Sequence, residues 1–468
     1  MAIRDEGREQ PPGRIGRPPV GSLTLARALV RHAERAMVRA SDAVLIRGNT
    51  ARVLPDSPVA FSTWIESIER AKEWVHLENY IIRNDRIGRL FRELLADKAQ
   101  EGVRVRLLYD WVGCWATPKS FWKPFRAAGV DVRAFSPPRV TEPLKILRRD
   151  HRKVVVVDGS YASVAGMCIG DEWAGESKGG APAWRDTGVE IIGPAAAVVD
   201  RAFARTWRET GEMLPLEEIP DPQAVPRVGD VSIRVVEGEP GRSRIYRLSQ
   251  FVAVGVEQRL WITDPYFVAP PAMTEALAAA ARDGVDVRIL VPAYNNWPLI
   301  GGFSRAGYRP LLEAGVRIFE WEGPMIHAKT AVADGVWSRV GSSNLNLASL
   351  MSNWELDITI LDRGVGAQME DLFMRDLSSS VEIELPSRYA GVSTRRTLVR
   401  HPVEEIAGAA NLAAAREARR RAKRGSRVGR MLSQIARASI VLARALLGQR
   451  NVALEDRGWI VAIAMLVL

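Results

Sequence analysis

The sequence predicts an α/β protein built from two homologous lobes, each with a mixed sheet flanked by helices, related by a pseudo-two-fold axis. Two observations predict this class. The pattern His-x-Lys-x4-Asp occurs twice, and the segments that precede each copy echo one another in the same order. Within each half, strand patterns alternate with helical patterns before the motif. Such alternation is typical of layered α/β structures.

The echoed segments define the order of elements and the division of the chain. A strand ending near a tyrosine opens each half, at residues 75–80 and 260–266. A helical pattern and a second strand follow, entered from Gly102 and from Gly284, and then a helix, a third strand and the motif strand. We predict four parts: a basic, Pro-rich, partly disordered leader at 1–39, a first lobe at 40–220, a second lobe at 221–392 and a basic amphipathic tail at 393–468.

The composition favours an anionic partner and a reducing compartment. The chain has 468 residues and a formal net charge of +10, which suits nucleic acid, an acidic membrane surface or a phosphorylated substrate. Its two cysteines, Cys114 and Cys168, are too few for a disulfide framework or a Cys-rich metal site. No stretch reaches the ~20 apolar residues that a spanning helix needs, and the leader lacks the apolar region of a signal peptide.

The two motifs place the same side chains at one point in each half. They comprise His151, Lys153 and Asp158 in the first copy, and His327, Lys329 and Asp334 in the second. On a strand, residues two positions apart share a face, so the imidazole and the ammonium point at a common spot. Imidazole can attack phosphorus or protonate a leaving alkoxide, and lysines can hold non-bridging oxygens. If the halves meet about a two-fold axis, the sequence predicts one two-histidine phosphoryl-transfer site without metal or cofactor.

The acidic residues around the motifs have two interpretations each. Asp158 and Asp334 end their strands in a turn, so we favour a structural role over direct chemistry for both. Each histidine also needs a carboxylate to fix its tautomer. Asp186 and Glu355 each follow a motif and open an alternating strand. We therefore expect Asp186 to orient His151 and Glu355 to orient His327, with ordinary strand-edge acids as the alternative.

Over residues 40–390 the motifs resemble those of the phospholipase D superfamily, most closely the bacterial cardiolipin synthases. The supporting stretches are 76–82, 150–159, 170–173, 184–187 and 341–344. The resemblance implies phosphatidyl transfer through a phosphohistidine intermediate, with His151 as nucleophile and His327 as general acid. It also implies that Ser342 and Asn344 contact the phosphate. The first half departs from the family pattern, because Cys168 stands where an asparagine is expected.

Several functions remain open at this point. The leading hypothesis is cardiolipin synthesis from phosphatidylglycerol by a peripheral enzyme at the cytoplasmic face of the cell membrane. The basic tail, with eight Arg and Lys residues between positions 416 and 430, would contact anionic lipid. The alternatives are a hydrolytic phospholipase D, a phosphodiesterase acting on nucleic acid, and a catalytically weakened membrane-binding protein. No nucleic-acid partner is expected, because aromatic platforms and base-reading motifs are absent from the sequence.

Overall fold

The computed structural model describes residues 20–138, 141–175, 181–385 and 396–398. Its first half contains the strands β1 (Ile46–Leu54), β2 (Trp74–Asn79), β3 (Arg104–Asp110), β4 (Asp131–Phe135), β5 (Arg149–Asp150), β6 (Lys153–Val157), β7 (Tyr161–Ala165) and β8 (Gly188–Ile192). The helices of this half are α1 (Val20–Ser41), α2 (Ser57–Glu69), α3 (Arg86–Gln100), α4 (Lys123–Ala127), α5 (Asp171–Ala174) and α6 (Pro194–Arg208).

The second half repeats this plan with its own additions. Its strands are β9 (Val231–Gly238), β10 (Arg259–Thr263), β11 (Asp286–Pro292), β12 (Arg317–Trp321), β13 (Thr330–Ala333), β14 (Trp337–Gly341), β15 (Asn353–Leu361), β16 (Ser380–Ile383) and β17 (Arg396–Leu398). Its helices are α7 (Arg244–Gly255), α8 (Pro271–Arg282), α9 (Pro298–Ala306), α10 (Tyr308–Glu313), α11 (Leu347–Met351) and α12 (Arg363–Ser378).

Seven strands of each sheet have the same order and the same directions. They run β4-β3-β2-β6-β7-β8-β1 in the first sheet and β12-β11-β10-β13-β14-β15-β9 in the second. The second sheet continues antiparallel beyond β12 with β16 and β17. In each sheet the first three strands are parallel and the remaining ones pair antiparallel. β1 also pairs with β9, and β5 pairs with β15, so backbone hydrogen bonds connect the halves. The predicted α/β class with a mixed sheet in each half is confirmed.

Three apolar cores hold these layers together. One lies between the first sheet and helices α2 and α3, and a second lies between the second sheet and helices α7, α8 and α10. The third contains side chains from both sheets together with α6 and α12. The valines of β6 alternate between the first core and this shared core, which is why the run Val154–Val157 is apolar on both faces. The shared core brings the halves together around the ends of the motif strands.

The aspartates that end the two motifs close β-hairpins. Asp158 and the following Gly159 both have positive φ, at 49° and 62°, as the tight turn between β6 and β7 requires. The Asp158 carboxylate accepts the backbone N–H groups of residues 72–74 at 2.8–3.0 Å. Asp334 has a φ of 50° and accepts the N–H groups of residues 257–259 at 2.9–3.0 Å. Each aspartate therefore fixes the start of the strand that pairs with its motif strand, which is β2 for Asp158 and β10 for Asp334.

Two predicted segments fall partly outside the structure. Of the leader, residues 1–19 lie outside the described residues, whereas 20–39 belong to α1, in which Glu34 pairs with Arg234 of β9. The basic run between 416 and 430 and the helix expected after it also lie outside the described residues. Among the helices that the structure describes, none combines the length and apolar character that crossing a bilayer would require.

We predict that Asp158→Asn destabilises the fold without unfolding it. The amide keeps one acceptor oxygen but loses the charge that strengthens three hydrogen bonds to backbone N–H groups. The free energy of unfolding should fall by about 1–2 kcal/mol, measured by urea denaturation. Asp283→Asn, at an exposed position at the end of α8, is the matched control. An Asp158→Asn midpoint equal to that of the control would contradict the capping role.

Candidate active site

The two motifs meet where the motif strands begin. His151 lies two residues before β6, whose first residue, Lys153, pairs with the last residue of β2. His327 and Lys329 directly precede β13 in the same relation to β10. All four side chains are buried, with the residues between 0% and 8% exposed. The two sets share one site, because the charge of Lys329 acts on His151 and that of Lys153 acts on His327.

Each histidine is held by a carboxylate from the other half. Nδ1 of His151 lies 2.9 and 3.1 Å from the two oxygens of Glu355. Nδ1 of His327 lies 2.8 Å from Oδ2 of Asp186. An ionised carboxylate only accepts hydrogen bonds, so each Nδ1 carries the proton and each Nε2 carries the lone pair. Both Nε2 atoms are thus in the form that attack on phosphorus requires.

The expected pairing of carboxylates with histidines was therefore wrong, and the partners are exchanged. The reason lies in how the sheet edges meet. The backbone N–H of His151 donates to the carbonyl of Trp354 at 2.9 Å, and that of His327 donates to the carbonyl of Arg185 at 2.6 Å. Trp354 directly precedes Glu355 in the chain, and Arg185 directly precedes Asp186. Backbone pairing between the halves thus sets each acid beside the opposite histidine.

Burial and charge act in opposition on the two carboxylates. Burial raises the pKa of Glu355, but the charge and hydrogen bond of His151, with Lys153 and Ser342, outweigh it and bring the pKa to about 2. Burial likewise raises the pKa of Asp186, and the hydrogen bond and charge of His327 outweigh it, so that this pKa is lowered. Both acids remain ionised at neutral pH. They can stabilise an imidazolium on either histidine.

The basic groups have pKa values below their usual range. Burial lowers the pKa of His151 although the Glu355 charge opposes it. For His327, burial and then the charge of Lys329 lower the pKa to about 3 against the effect of Asp186. Burial also lowers the pKa of Lys329, to about 8. Both imidazoles are neutral at neutral pH, and a bound phosphate would raise their pKa values by supplying negative charge.

The two lysines are placed differently. Each ammonium donates to the backbone carbonyl of the histidine two residues before it. Nζ of Lys329 also lies 2.9 Å from Nδ1 and 3.1 Å from Nε2 of His327. Because Nδ1–H is directed to Asp186, this ammonium can donate only to Nε2 of the ring. His151 has no such lysine contact among the described residues, so the two rings are chemically unequal.

Aromatic side chains line both histidines. Tyr80 contacts the ring of His151 edge-on with ring centroids 4.9 Å apart. His327 is surrounded by Tyr266, Trp173 and Trp184 at 5.8–5.9 Å between centroids. The tyrosines occupy the strand ends that echo in the sequence, and the tryptophans lie in stretches that carry the family resemblance. Their positions were therefore visible in the sequence, but their contact with the histidines was not.

The residues expected to contact phosphate differ in what they do here. The hydroxyl of Ser342 donates to Glu355 Oε2 at 2.5 Å, so it supports the carboxylate instead of pointing at a free position. The carboxamide oxygen of Asn344 is buried and has no hydrogen-bond partner in the described part of the chain. Cys168 is buried within reach of both lysine charges, and burial raises the pKa of its thiol. Cys168 is thus an uncharged thiol and a weak hydrogen-bond donor, at a position where the expected asparagine would offer a strong amide donor.

Asp158 and Asp334 are not brought to this site. Each ends its motif strand at the far end from the histidine, where it caps backbone N–H groups. The five residues of β6, at ~3.3 Å per residue, separate Asp158 from His151 by roughly 17 Å. This position fits a structural role for Asp158 and Asp334. It does not fit a role as catalytic residues.

Two arginines that the sequence analysis missed connect the halves behind the carboxylates. Arg152, fully buried, donates to the carbonyl of Glu355 at 3.0 Å and lies 3.4 Å from Glu237 of β9. Arg185 donates to both oxygens of Asp376 in α12, each at 2.9 Å. In the sequence, the only indication of such a role was that Arg152 lies inside the first motif and Arg185 directly precedes Asp186. In the described ranges, no group of three or more His, Cys, Asp or Glu side chains could hold a metal ion.

The exchanged pairing yields a prediction that separates the two histidines. Glu355→Gln should shift the ring nitrogen resonances of His151 and leave those of His327 nearly unchanged, while Asp186→Asn should do the reverse. Either change should lower turnover on the order of a hundredfold, because the tautomer is no longer fixed. The chain has five histidines, so NMR signals can be assigned by single substitutions. If Glu355→Gln shifted the resonances of His327 and not those of His151, the exchanged pairing of carboxylates and histidines would be contradicted.

Comparison with known proteins places these motifs in a family. The family model described as "Cardiolipin synthase, PLD-like domain" matches residues 255–377. The chain is 34% identical over 337 residues to the cardiolipin synthase of Geobacillus sp. (strain WCH70), covering 71% of this chain and 67% of that protein. It is 34% identical over 364 residues to cardiolipin synthase A of Pseudomonas putida (strain W619), covering 77% and 75%. A quarter to a third of each relative therefore lies outside the match.

Solved structures show the same fold at low identity. Phosphatidylserine synthase from Haemophilus influenzae Rd KW20 superposes with a TM-score of 0.58 at 15% identity, covering 74% of this chain and 91% of that one. Polyphosphate kinase from Porphyromonas gingivalis gives 0.51 at 12% identity, covering 81% and 53%. These likenesses concern the fold alone. The sequence relatives, with the doubled motif, show that this chain belongs to the cardiolipin synthase family of the phospholipase D superfamily.

Proposed function

We propose that the chain transfers a phosphatidyl group between alcohols and makes cardiolipin from two molecules of phosphatidylglycerol. The observation that carries this proposal is the pair of His/Lys sets whose histidines are held by exchanged carboxylates in one buried site. An imidazole Nε2 attacks the phosphorus, and the bond from phosphorus to the glycerol headgroup breaks. The second histidine gives its proton to the departing glycerol, then removes one from the hydroxyl of a second phosphatidylglycerol, which displaces the imidazole.

We assign His151 as the nucleophile and His327 as the general acid. The assignment is supported by the unequal surroundings of the two rings. Nε2 of His327 already faces the ammonium of Lys329 at 3.1 Å, whereas Nε2 of His151 has no hydrogen-bond partner in the described ranges. Phosphate binding would draw Lys329 to its oxygens and add negative charge beside His327. That charge raises the pKa of His327 and lets the imidazole hold the proton for the leaving group.

The remaining polar groups serve the phosphate and the carboxylates. Lys153 and Lys329 would hold the non-bridging oxygens by charge-assisted hydrogen bonds, and the amide of Asn344 would donate a further one. Ser342 would keep Glu355 oriented through its hydroxyl. In the first half the thiol of Cys168 would add only a weak donor. The phosphate is therefore held more strongly by groups of the second half.

Product analysis tests the proposal directly. Purified chain incubated with phosphatidylglycerol vesicles should yield cardiolipin and glycerol, and His151→Ala and His327→Ala should each reduce turnover by more than about a thousandfold. Asp158→Asn, which lies outside the site, is the matched control for folding. Phosphatidic acid as the product would indicate hydrolysis instead. DNA cleavage without lipid turnover would replace the proposal with a nucleic-acid phosphodiesterase.

The assignment of the nucleophile has its own readout, in which the headgroup is replaced by p-nitrophenol, a leaving group that departs without a proton. With this phosphorus-labelled lipid, His327→Ala should still accumulate protein-bound, acid-labile label, because attack by His151 then needs no general acid whereas release to the acceptor alcohol still needs the second imidazole as base. His151→Ala should accumulate none. Label on the His151→Ala variant would reverse the assignment while leaving phosphatidyl transfer intact.

The lowered pKa of Lys329 predicts an alkaline limit. Lys329 binds phosphate only when charged, and with a pKa of about 8 it loses its proton as the pH rises through that value. kcat/KM, which reports the free enzyme, should fall above about pH 8, and kcat should fall less because bound phosphate retains the proton. Lys329→Arg keeps its charge and should move this limit to higher pH, whatever its effect on the maximal rate. An unmoved limit in Lys329→Arg would contradict the role of Lys329.

A further inference from the structure

Among the residues that the structure describes, the exposed aromatic side chains are confined to one edge of the molecule. They belong to a set of exposed apolar residues that we call the apolar rim. The rim consists of Trp115, Tyr294, Trp297, Phe303, Leu347 and Met351, which are 39–65% exposed. They lie in the segments that follow β3, β11 and β14, at the sheet edge where the motif strands begin.

The segments that carry the rim contact the tyrosines that pack on the two motif histidines. In the loop that bears Trp115, Gly113 packs so tightly on the carbonyl of Tyr80 that an added Cβ would lie 2.0 Å from that oxygen. The hydroxyl of Tyr266 donates to Asn296, beside Trp297, at 2.8 Å. The amide of Asn346, beside Leu347, donates to the carbonyl of Tyr266 at 3.2 Å. Each rim segment thus contacts a tyrosine that packs on one of the histidines.

The chemistry of this edge matches the interfacial layer of an anionic bilayer. Tryptophan and tyrosine concentrate where lipid headgroups meet acyl chains, because their rings are apolar with one polar atom. Lys119 and Lys123 are exposed in the same connection as Trp115 and would face anionic headgroups. Exposed apolar side chains gathered at the edge that holds the site are the composition expected of an interaction surface.

We propose that the apolar rim enters the headgroup layer of an anionic membrane, so that a lipid phosphate reaches the histidines while its acyl chains remain in the bilayer. This inference rests on the proposed function for the identity of the lipid, but it is independent of the predicted C-terminal tail. Removing two acyl chains from the bilayer would forfeit favourable transfer free energy at every methylene. Docking the opening of the site onto the membrane avoids that step.

The test compares substitutions at the two edges of the same full-length chain. The rim pair is Trp115→Ala with Phe303→Ala, and the control pair is Leu216→Ala with Val254→Ala. Leu216 and Val254 are at least as exposed, at 85% and 79%. Leu216 lies two residues before Glu218, which pairs with Arg104 at the start of β3, and Val254 lies at the end of α7, just before β10. Binding is measured by co-sedimentation with vesicles of phosphatidylglycerol and phosphatidylcholine in equal parts. The rim pair should bind at least about tenfold more weakly than the parent, and the control pair should bind like the parent.

A conservative variant and a second readout separate the possible outcomes. Trp115→Phe with Phe303→Trp keeps the apolar area and should restore most of the binding. A rim pair that binds as tightly as the parent, or a parent that does not bind these vesicles, would overturn the inference; the latter outcome would favour a protein partner for this edge. If the rim pair loses binding but the parent makes no product from the same vesicles, the proposed function fails and the membrane-docking surface stands.

Discussion

The exchange of carboxylates between the two halves is the interaction on which the site depends. Glu355 of the second half holds His151, and Asp186 of the first half holds His327. Leaving a buried carboxylate without its partner costs about 3–5 kcal/mol, so neither half could keep its acid buried in the absence of the other half's histidine. The duplicated motif therefore specifies one site shared by both halves, and the shared apolar core between the sheets is what keeps the two sets in register.

Two arginines, Arg152 and Arg185, explain how this exchange is held in place. Arg152 fixes the backbone of Glu355 and reaches Glu237 in a neighbouring strand, so the first motif is tied to the second half at two points. Arg185 is tied to Asp376 of α12 and so fixes the chain immediately before Asp186. Each cation bridges from one half to the other directly behind a carboxylate that orients a histidine. The site is preorganised by its supporting groups, which reduces the reorganisation that the reaction requires.

The duplication made much of this architecture predictable from sequence, because repeated segments in a constant order imply repeated strands and a repeated site. The turn role of Asp158 was also predictable, since Asp-Gly after an apolar run is a hairpin signal. The pairing of acids with histidines was not. Within the chain, each acid follows its own motif, and only backbone pairing between distant strands, such as β5 with β15, places it beside the other one. The role of Arg152 was hidden for the same reason, because its partner Glu237 belongs to a strand of the other half.

Departures from symmetry would give the two halves different tasks in the proposed reaction. A displacement through a covalent intermediate needs one imidazole to attack and another to carry the proton, and two identical histidines could not be assigned these tasks. In this chain the lysine of the second motif lies against the ring of its histidine, whereas that of the first contacts the backbone carbonyl of its histidine and not the ring. The second half also offers the amide of Asn344 where the first offers the buried thiol of Cys168. Both differences leave the stronger hydrogen-bond donors in the second half, and the Lys329 ammonium lies beside the ring of His327. The leaving oxygen would therefore depart where positive charge is greatest, and His151 would approach the phosphorus from the less occupied side.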